Sequence, residues 1–189
     1  HMWTPDVYEG APTPVTAFMA AGTKVAAFGA LLRLFYVAFG SDRWSWQPML
    51  WVIAILSMFV GAILAITQTD IKRMVAYSSV AHAGFLLIGA MAVTPQGVSG
   101  TLFYLLAYGF TTLAVFGVIS LVRTADGEAT HLSQWAGLGK RSPLTAGIMA
   151  FLLLALAGIP LTSGFTAKFA VFAAGLADGM APLVVFALV

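Results

Sequence analysis

Three ionisable side chains lie deep within long apolar stretches of the chain: Lys24, His82 and Lys168. None of these stretches holds an aspartate or glutamate that could neutralise them. A charge is costly in a hydrocarbon environment, and burial without a counter-charge disfavours the protonated form of an amine. Such a lysine can load and release a proton when a nearby charge moves. We therefore interpret the three residues as candidate stations of a proton pathway.

Hydroxyl side chains accompany these residues at helical spacing. Ser78 and Ser79 precede His82 by four and three residues, which places both near its face of a helix. A second stripe of hydroxyls follows in a later apolar stretch, where it comprises Thr101, Tyr104, Tyr108 and Thr111. Hydroxyls can pass a proton through intervening water, so we predict a supporting role in the pathway for Ser78, Ser79, Tyr104, Tyr108 and Thr111. Ordinary packing between helices is the alternative for these hydroxyls and for His82.

The apolar stretch from residue 144 to 177 must be interrupted. At about 1.5 Å per residue, one straight helix would be about 50 Å long, whereas the hydrocarbon core is about 30 Å thick. Gly158, Pro160 and Gly164 predict the break, since proline removes an amide donor and glycine relaxes the backbone. A broken helix beside an ionisable residue, here Lys168, is typical of an ion site in a transporter. The alternative is a proline kink with a lysine that snorkels to the interface.

The composition is that of a polytopic membrane protein. Of the 189 residues, 60% are hydrophobic and 8% are charged, whereas soluble domains carry about 25% charged residues. The net charge of +2 and the absence of a basic cluster argue against nucleic-acid binding. The chain has no cysteine, and its three histidines are scattered, so we predict neither an iron–sulfur cluster nor a metal site. Glycine-rich nucleotide loops and Ser-His-Asp arrangements are missing as well, so we predict no catalytic residue.

The hydropathy pattern predicts an all-α, polytopic transmembrane helix bundle with one broken helix. The predicted spans are residues 15–39, 49–67, 71–93, 98–122 and the broken 144–177, and a further span begins near residue 180.

Polar segments separate the predicted spans. Residues 1–14 are a short non-membrane segment or the tail of an earlier helix, and Trp3 and Tyr8 suit the headgroup region. Residues 40–48 are predicted to be a loop, and residues 123–143 a longer loop with a short surface helix. An aromatic belt is predicted near the first loop from Tyr36, Trp44, Trp46 and Trp51.

The distribution of basic residues predicts the orientation. One side of the predicted bundle carries Lys72, Arg73, Arg123, Lys140 and Arg141. The other side has Arg43 and, by snorkelling, Arg33. Since cytoplasmic loops are enriched in Lys and Arg, we expect a multi-pass protein of the bacterial cell (inner) membrane, with the first segment and the 123–143 loop cytoplasmic. Residues 181–189 are too short to span a bilayer, so we interpret the chain as a fragment.

Three stretches resemble the antiporter-like membrane subunits of respiratory complex I, the NADH:quinone oxidoreductase. They are residues 1–15 followed by Lys24, residues 69–82, and residues 158–169. The Val-Tyr-Glu-Gly-Ala-Pro sequence of residues 7–12 is most similar to the subunit N branch of the bacterial enzyme, whereas subunits L and M have a different sequence there. The resemblance covers nearly the whole chain.

The resemblance implies a position within a larger fold. The family has about fourteen helices, including two inverted five-helix repeats that each contain a broken helix. On that pattern the chain begins just after the break of the seventh helix and reaches the start of the thirteenth. Residues 1–39 then form the end of the first repeat, and residues 48–189 form most of the second, truncated at its C-terminal end.

The resemblance also implies roles for single residues. Lys24 matches the eighth-helix lysine of the family's central hydrophilic axis, and Lys168 matches the terminal lysine of the broken twelfth helix. His82 matches a tenth-helix histidine, and His1 matches a histidine just past the first break. The family's fifth-helix glutamate and seventh-helix lysine lie upstream of this chain. Other members carry lysine or histidine on the eleventh helix, where this chain has tyrosines, so we expect water to bridge more of the path.

The implied function is proton translocation coupled to quinone reduction. The chain would be a non-redox membrane subunit of NADH:quinone oxidoreductase that binds no cofactor itself, with NADH, FMN, iron–sulfur clusters and quinone in partner subunits. Its expected partners are the other complex I membrane subunits and the lipid bilayer, and no nucleic acid. Two alternatives stay open: a subunit of an Mrp-type cation/proton antiporter, and a structural membrane subunit that does not pump.

Overall fold

A computed structural model describes residues 2–125 and 127–188 as a bundle of α-helices with one small hairpin. The described helices and strands run in the order α1 Thr4–Gly10, α2 Thr13–Phe18, α3 Lys24–Arg33, α4 Arg43–Ile66, α5 Ile71–Met91, α6 Pro95–Leu121, β1 Arg123–Thr124, β2 Gly127–Glu128, α7 Leu138–Arg141, α8 Pro143–Ala157, α9 Ser163–Ala177 and α10 Ala181–Leu188.

Four of the described helices are long and apolar enough to cross a membrane: Thr13–Ala38, Gly40–Ile66, Ile71–Met91 and Pro95–Leu121. Two shorter apolar helices, α8 and α9, follow each other across a break. The predicted all-α membrane bundle with a broken helix is therefore confirmed.

The first span, Thr13–Ala38, contains two π-helical turns that the sequence analysis did not predict. They cover Met19–Thr23, between α2 and α3, and Leu34–Ala38, after α3. A π-helical turn inserts one residue into a helix and rotates the next turns about the helix axis, and such turns are frequent at functional sites. The first turn ends immediately before Lys24 and so sets the direction in which that lysine leaves the helix.

The predicted loop at residues 40–48 is wrong, because α4 already begins at Arg43. Trp46 holds this early start in place: its ring centroid lies 4.6 Å from that of Phe35, and its indole nitrogen donates to the Phe39 carbonyl at 2.9 Å. Trp46 is buried and does not belong to an interfacial belt, whereas Trp44 is 88% exposed.

The first segment is also more ordered than predicted. Residues 4–10 form α1, and Tyr8 is only 3% exposed, with its ring edge-on to Phe116 at a centroid distance of 6.0 Å. The prediction that Tyr8 lies in the headgroup region is therefore wrong. The apolar body of this side chain packs against α6 inside the bundle.

The centre of the bundle is α5, which is buried along most of its length. It packs most closely against α4, where glycines let the two backbones meet. A Cβ atom at Gly61 would lie 2.6 Å from the backbone nitrogen of Ala81, and one at Gly84 would lie 2.8 Å from the carbonyl oxygen of Ala54. Small residues at such contacts are typical of membrane helix pairs.

The first segment, the turn before α5 and the loop after α6 contact one another at one end of the bundle. Arg73 pairs with Glu9 at 2.7 Å, Lys72 donates to the Ala11 carbonyl at 2.8 Å, and Ile71 N donates to the Thr130 carbonyl at 2.8 Å. The sequence prediction that these segments share one side is therefore confirmed.

The loop after α6 differs from the prediction in detail. It forms the β1–β2 hairpin, then a 3₁₀ turn over Leu132–Trp135 and the short α7. Gly137 separates the last two with a φ of 76°, so the single surface helix predicted for this loop is wrong. At the opposite end, Arg43 pairs with Asp178 and ties the start of α4 to the end of α9.

Candidate functional site: a buried series of lysine, histidine and hydroxyl side chains

The broken helix positions one end of the site. Helix α8 stops at Ala157, Gly158 adopts a left-handed φ of 82°, and α9 starts at Ser163. Thr162 caps α9 by accepting a hydrogen bond from Phe165 N at 3.4 Å. The structure thus places the break around Pro160, within the stretch that the sequence indicated.

Gly164 lets the two half-helices approach. A Cβ atom at this position would lie 1.8 Å from the carbonyl oxygen of Ala155 in α8. Only glycine fits so close to another backbone, and the close approach keeps the first turn of α9 against the end of α8.

Lys168 turns back toward the break. Its Nζ donates to the carbonyl oxygen of Ala157, the last residue of α8, at 2.9 Å. It also lies 4.9 Å from the ring centroid of Phe85 on α5. A cation at a helix C-terminus is stabilised by the helix dipole, and the ring face adds a cation–π contact. This half-buried amine therefore points into the bundle and does not snorkel away from it.

Lys24 is buried, with 8% of its surface exposed. Its Nζ donates to both oxygens of Ser79 on α5, at 2.6 Å to Oγ and 2.8 Å to the carbonyl. The same nitrogen lies 4.3 Å from the ring centroid of Tyr108 on α6. These contacts join the first span to α5 and α6.

His82 lies between the two lysines. Its Nδ1 is 2.5 Å from the hydroxyl oxygen of Tyr104, and which atom donates depends on the tautomer. Its ring centroid lies 4.8 Å from that of Tyr108. Both tyrosines are buried, so the histidine is enclosed by groups that can exchange a proton with it.

A small cavity connects the histidine to Lys168. It has a volume of about 10 Å³, close to what one water molecule requires. Its polar lining comprises His82, Tyr104, Tyr108, Thr111 and Lys168. The Thr111 hydroxyl donates to the Ala107 carbonyl at 2.7 Å and keeps acceptor capacity for a water.

Ser78 is set apart from the other hydroxyls. It lines a separate open cleft of about 350 Å³, which His82 and Lys168 also border. Of the predicted hydroxyls, Ser79, Tyr104 and Tyr108 directly contact the ionisable residues, Thr111 lines the small cavity, and Ser78 lies at the cleft.

Sequence reasoning missed two residues of this site. Tyr8 lines the same cavity as Ser79 and Lys24, and Phe85 lies beneath Lys168. The position of Phe85, three residues after His82, is a helical signal that could have indicated it. No comparable signal exists for Tyr8, which reaches α5 only through the packing of α1. His1 lies outside the described residues.

The site holds basic side chains without carboxylates beside them. Across residues 2–125 and 127–188, ion pairs join Arg43 to Asp178 and Arg73 to Asp6 and Glu9, and none includes Lys24 or Lys168. The same residues contain no cluster of three or more His, Cys, Asp or Glu side chains that could hold a metal ion. What the site offers is a row of proton donors and acceptors.

Comparison with known proteins identifies the family of the chain. The family described as "NADH:quinone oxidoreductase/Mrp antiporter, TM" matches residues 1–189. NADH-quinone oxidoreductase subunit N of Parafrankia sp. is 71% identical over the whole chain, and that of Saccharopolyspora erythraea is 70% identical. The chain spans 36% and 37% of the lengths of these two relatives.

Solved structures share the fold. A chain of respiratory complex I from Thermus thermophilus with bound aureothin superposes with a TM-score of 0.85 at 36% identity, over 100% of this chain and 40% of that one. A chain of the membrane-bound sulfane sulfur reductase, an archaeal respiratory membrane complex, gives 0.84 at 30% identity, over 99% and 39%. The resemblance to antiporter-like subunits of complex I is therefore confirmed, and the chain belongs to the family of NADH:quinone oxidoreductase and Mrp antiporter transmembrane subunits.

Proposed function

We propose that the chain is part of subunit N of a bacterial NADH:quinone oxidoreductase and that it carries protons through the membrane. The relatives from Parafrankia and Saccharopolyspora, at 70% identity or more, bear that name. In this proposal the redox chemistry takes place in partner subunits, which hold NADH, FMN, iron–sulfur clusters and quinone. This chain contributes the proton pathway and is coupled to the redox reaction at a distance.

One observation carries the proposal: a series of contacts leads from Lys24 to His82 and Tyr104, and one small cavity separates these from Lys168. The series runs from Lys24 to Ser79 and Tyr108, from Tyr108 to His82 and Tyr104, and through the small cavity to Lys168. Ion and proton relays within membranes are typically built from such inward-facing ionisable groups.

Each residue has a role in this proposal. Lys24 is the central relay, and Lys168 is the gate toward the outer side, held at the break by the Ala157 carbonyl. His82 and the hydroxyls carry the proton between them. The end of the bundle that holds the first segment and the 123–143 loop faces the cytoplasm of a bacterial cell, because it carries most of the Lys and Arg.

The experiment replaces Lys24 in the full complex. We expect Lys24→Ala to lower the number of protons pumped per electron, measured in proteoliposomes with NADH and a soluble quinone. Lys140→Ala is the matched control, since Lys140 is exposed and lies outside the bundle. An unchanged ratio in Lys24→Ala would remove the relay role and would favour a structural subunit.

A further inference from the structure

The Glu128 carboxylate contacts the helix bundle at the end where the first segment and the 123–143 loop lie together. Glu128, the last residue of β2, accepts a hydrogen bond at Oε2 from the hydroxyl of Thr13, the first residue of α2. Thr13 is 1% exposed, whereas the glutamate is half-buried. The contact therefore joins a carboxylate that reaches the surface to a hydroxyl inside the bundle.

From that hydroxyl, buried polar groups continue inward along the contact between α2 and α6. Thr16, one turn further along α2, is fully buried and donates to the Tyr8 carbonyl at 3.2 Å. Beyond this carbonyl, the Tyr8 side chain lines a cavity of about 550 Å³ together with Ser79 and Lys24. Buried hydroxyls and this cavity therefore lie between the surface carboxylate and the lysine proposed as the central relay.

Thr112 lies three residues after Gly109, on the face of α6 that meets the first span, and it gives independent evidence of a polar partner there. It is fully buried, and its hydroxyl has no hydrogen-bond partner among the residues that the structure describes. A buried hydroxyl left without a partner costs about 1–3 kcal/mol, so a polar partner such as water is expected beside it.

The first span and α6 pack antiparallel, and this fixes the position of the Thr112 hydroxyl along the bundle axis. A Cβ atom at Gly109 would lie 3.9 Å from the Cβ of Ala21, so these two residues face each other. Thr112 then lies about 4.5 Å nearer the Glu128 end, at about 1.5 Å per residue. It falls between Lys24 and Thr13.

We propose that Glu128 is the proton-collecting residue for Lys24, a role that rests on the proposed function of the chain. The carboxylate takes a proton from bulk water. Each hydroxyl or water along the α2–α6 contact then accepts a proton on one side and releases its own on the other, until the neutral amine of Lys24 becomes an ammonium. One proton enters and one is delivered, so every intermediate group is regenerated.

The cations near Glu128 leave it able to work in this way. Arg123 is its cross-strand neighbour in the hairpin, and Lys72 approaches the same end through the Ala11 carbonyl. Neither lies within 4.0 Å of the carboxylate in the described part of the chain. The carboxylate of Glu128 is therefore not fixed in an ion pair with either cation.

The test compares Glu128→Gln and Glu128→Asp in the full complex. The amide of Gln still accepts from Thr13 but cannot carry the proton, whereas Asp keeps an ionisable group. We expect pumping per NADH oxidised to fall by about tenfold in Glu128→Gln and to recover in large part in Glu128→Asp. Glu9→Gln, at an exposed carboxylate of the same end, is the control and should leave pumping unchanged.

The alternatives give different results. Normal pumping in Glu128→Gln, with Lys24→Ala impaired, would overturn the role of Glu128 alone. Normal pumping in Lys24→Ala would overturn the proposed function itself. Equal loss in both Glu128 variants, together with less assembled complex, would mean that the residue only anchors the hairpin. If both Glu128 variants assemble poorly, the same comparison can be made at Thr13, the next residue of the proposed route. Thr13→Val removes the hydroxyl and Thr13→Ser keeps it, so equal pumping by these two variants would overturn the proposal.

Discussion

Replacement of Gly164 by alanine tests how tightly the broken helix must close. The added Cβ would lie 1.8 Å from the Ala155 carbonyl oxygen, whereas Cβ atoms essentially never come within 3.0 Å of another heavy atom. The start of α9 must therefore move by at least 1.2 Å, the difference between these two distances. No side-chain rotation can relieve this clash, because both atoms are attached to backbone.

This shift reaches the proposed gate. Lys168 lies one turn further along α9, and its bond to the Ala157 carbonyl is 2.9 Å long. A displacement of this size lengthens it toward about 4 Å, beyond hydrogen-bonding distance. Overpacking of this kind costs about 1–3 kcal/mol, and a misplacement of about 1 Å at a reacting group costs about a hundredfold in rate.

The assay is NADH-driven proton pumping by the full complex in proteoliposomes, with NADH oxidation by an artificial acceptor as the measure of assembled enzyme. We expect Gly164→Ala to lose at least about nine-tenths of its pumping per assembled complex. Gly147→Ala is the matched control, because a Cβ at Gly147 in α8 would meet nothing within 4 Å. Equal pumping by the two variants would refute the reasoning from close approach.

Two further predictions concern single contacts. Tyr104→Phe keeps the ring but leaves His82 Nδ1 without its partner at 2.5 Å. Proton pumping should therefore fall, while complex assembly, measured by native gel, stays close to normal. A loss of assembly without a change in pumping per assembled complex would contradict this prediction. Asp178→Ala leaves Arg43 with only the Met91 carbonyl, at 3.2 Å, among its described partners, so the complex should inactivate at a lower temperature than wild type, by an amount corresponding to about 1–3 kcal/mol. The inactivation temperature of Asp178→Asn should lie between those of wild type and Asp178→Ala. Identical inactivation temperatures for all three would show that the Arg43–Asp178 pair adds no stability.

The broad architecture could be predicted from the sequence because the membrane restricts it. Long apolar stretches become helices, since backbone groups in lipid must be satisfied within the helix itself. The stretch over residues 144–177 was too long for one span and carried Pro160, so a break was required. Asp70 precedes α5 and caps it, since its side chain accepts a hydrogen bond from Arg73 N at 3.0 Å.

Local patterns failed where distant contacts decided the outcome. Residues 40–48 contain glycine, serine and proline and indicate a loop, yet Trp46 extends α4 because it packs on Phe35 and bonds to Phe39. Tyr8 resembles an interfacial tyrosine until α1 is placed against α6. The π-helical turn before Lys24 has no recognisable signal among its alanines and glycine.

The sequence by itself determined the spans, the broken helix and the identity of three ionisable residues without carboxylates in apolar surroundings, because composition and the period of a helix act along the chain. The tertiary structure alone decided that Ser79 and Tyr108 join Lys24, that Tyr104 joins His82, and that Lys168 turns toward Ala157. These contacts cross between helices, and their geometry depends on how closely small residues such as Gly164 let the backbones approach.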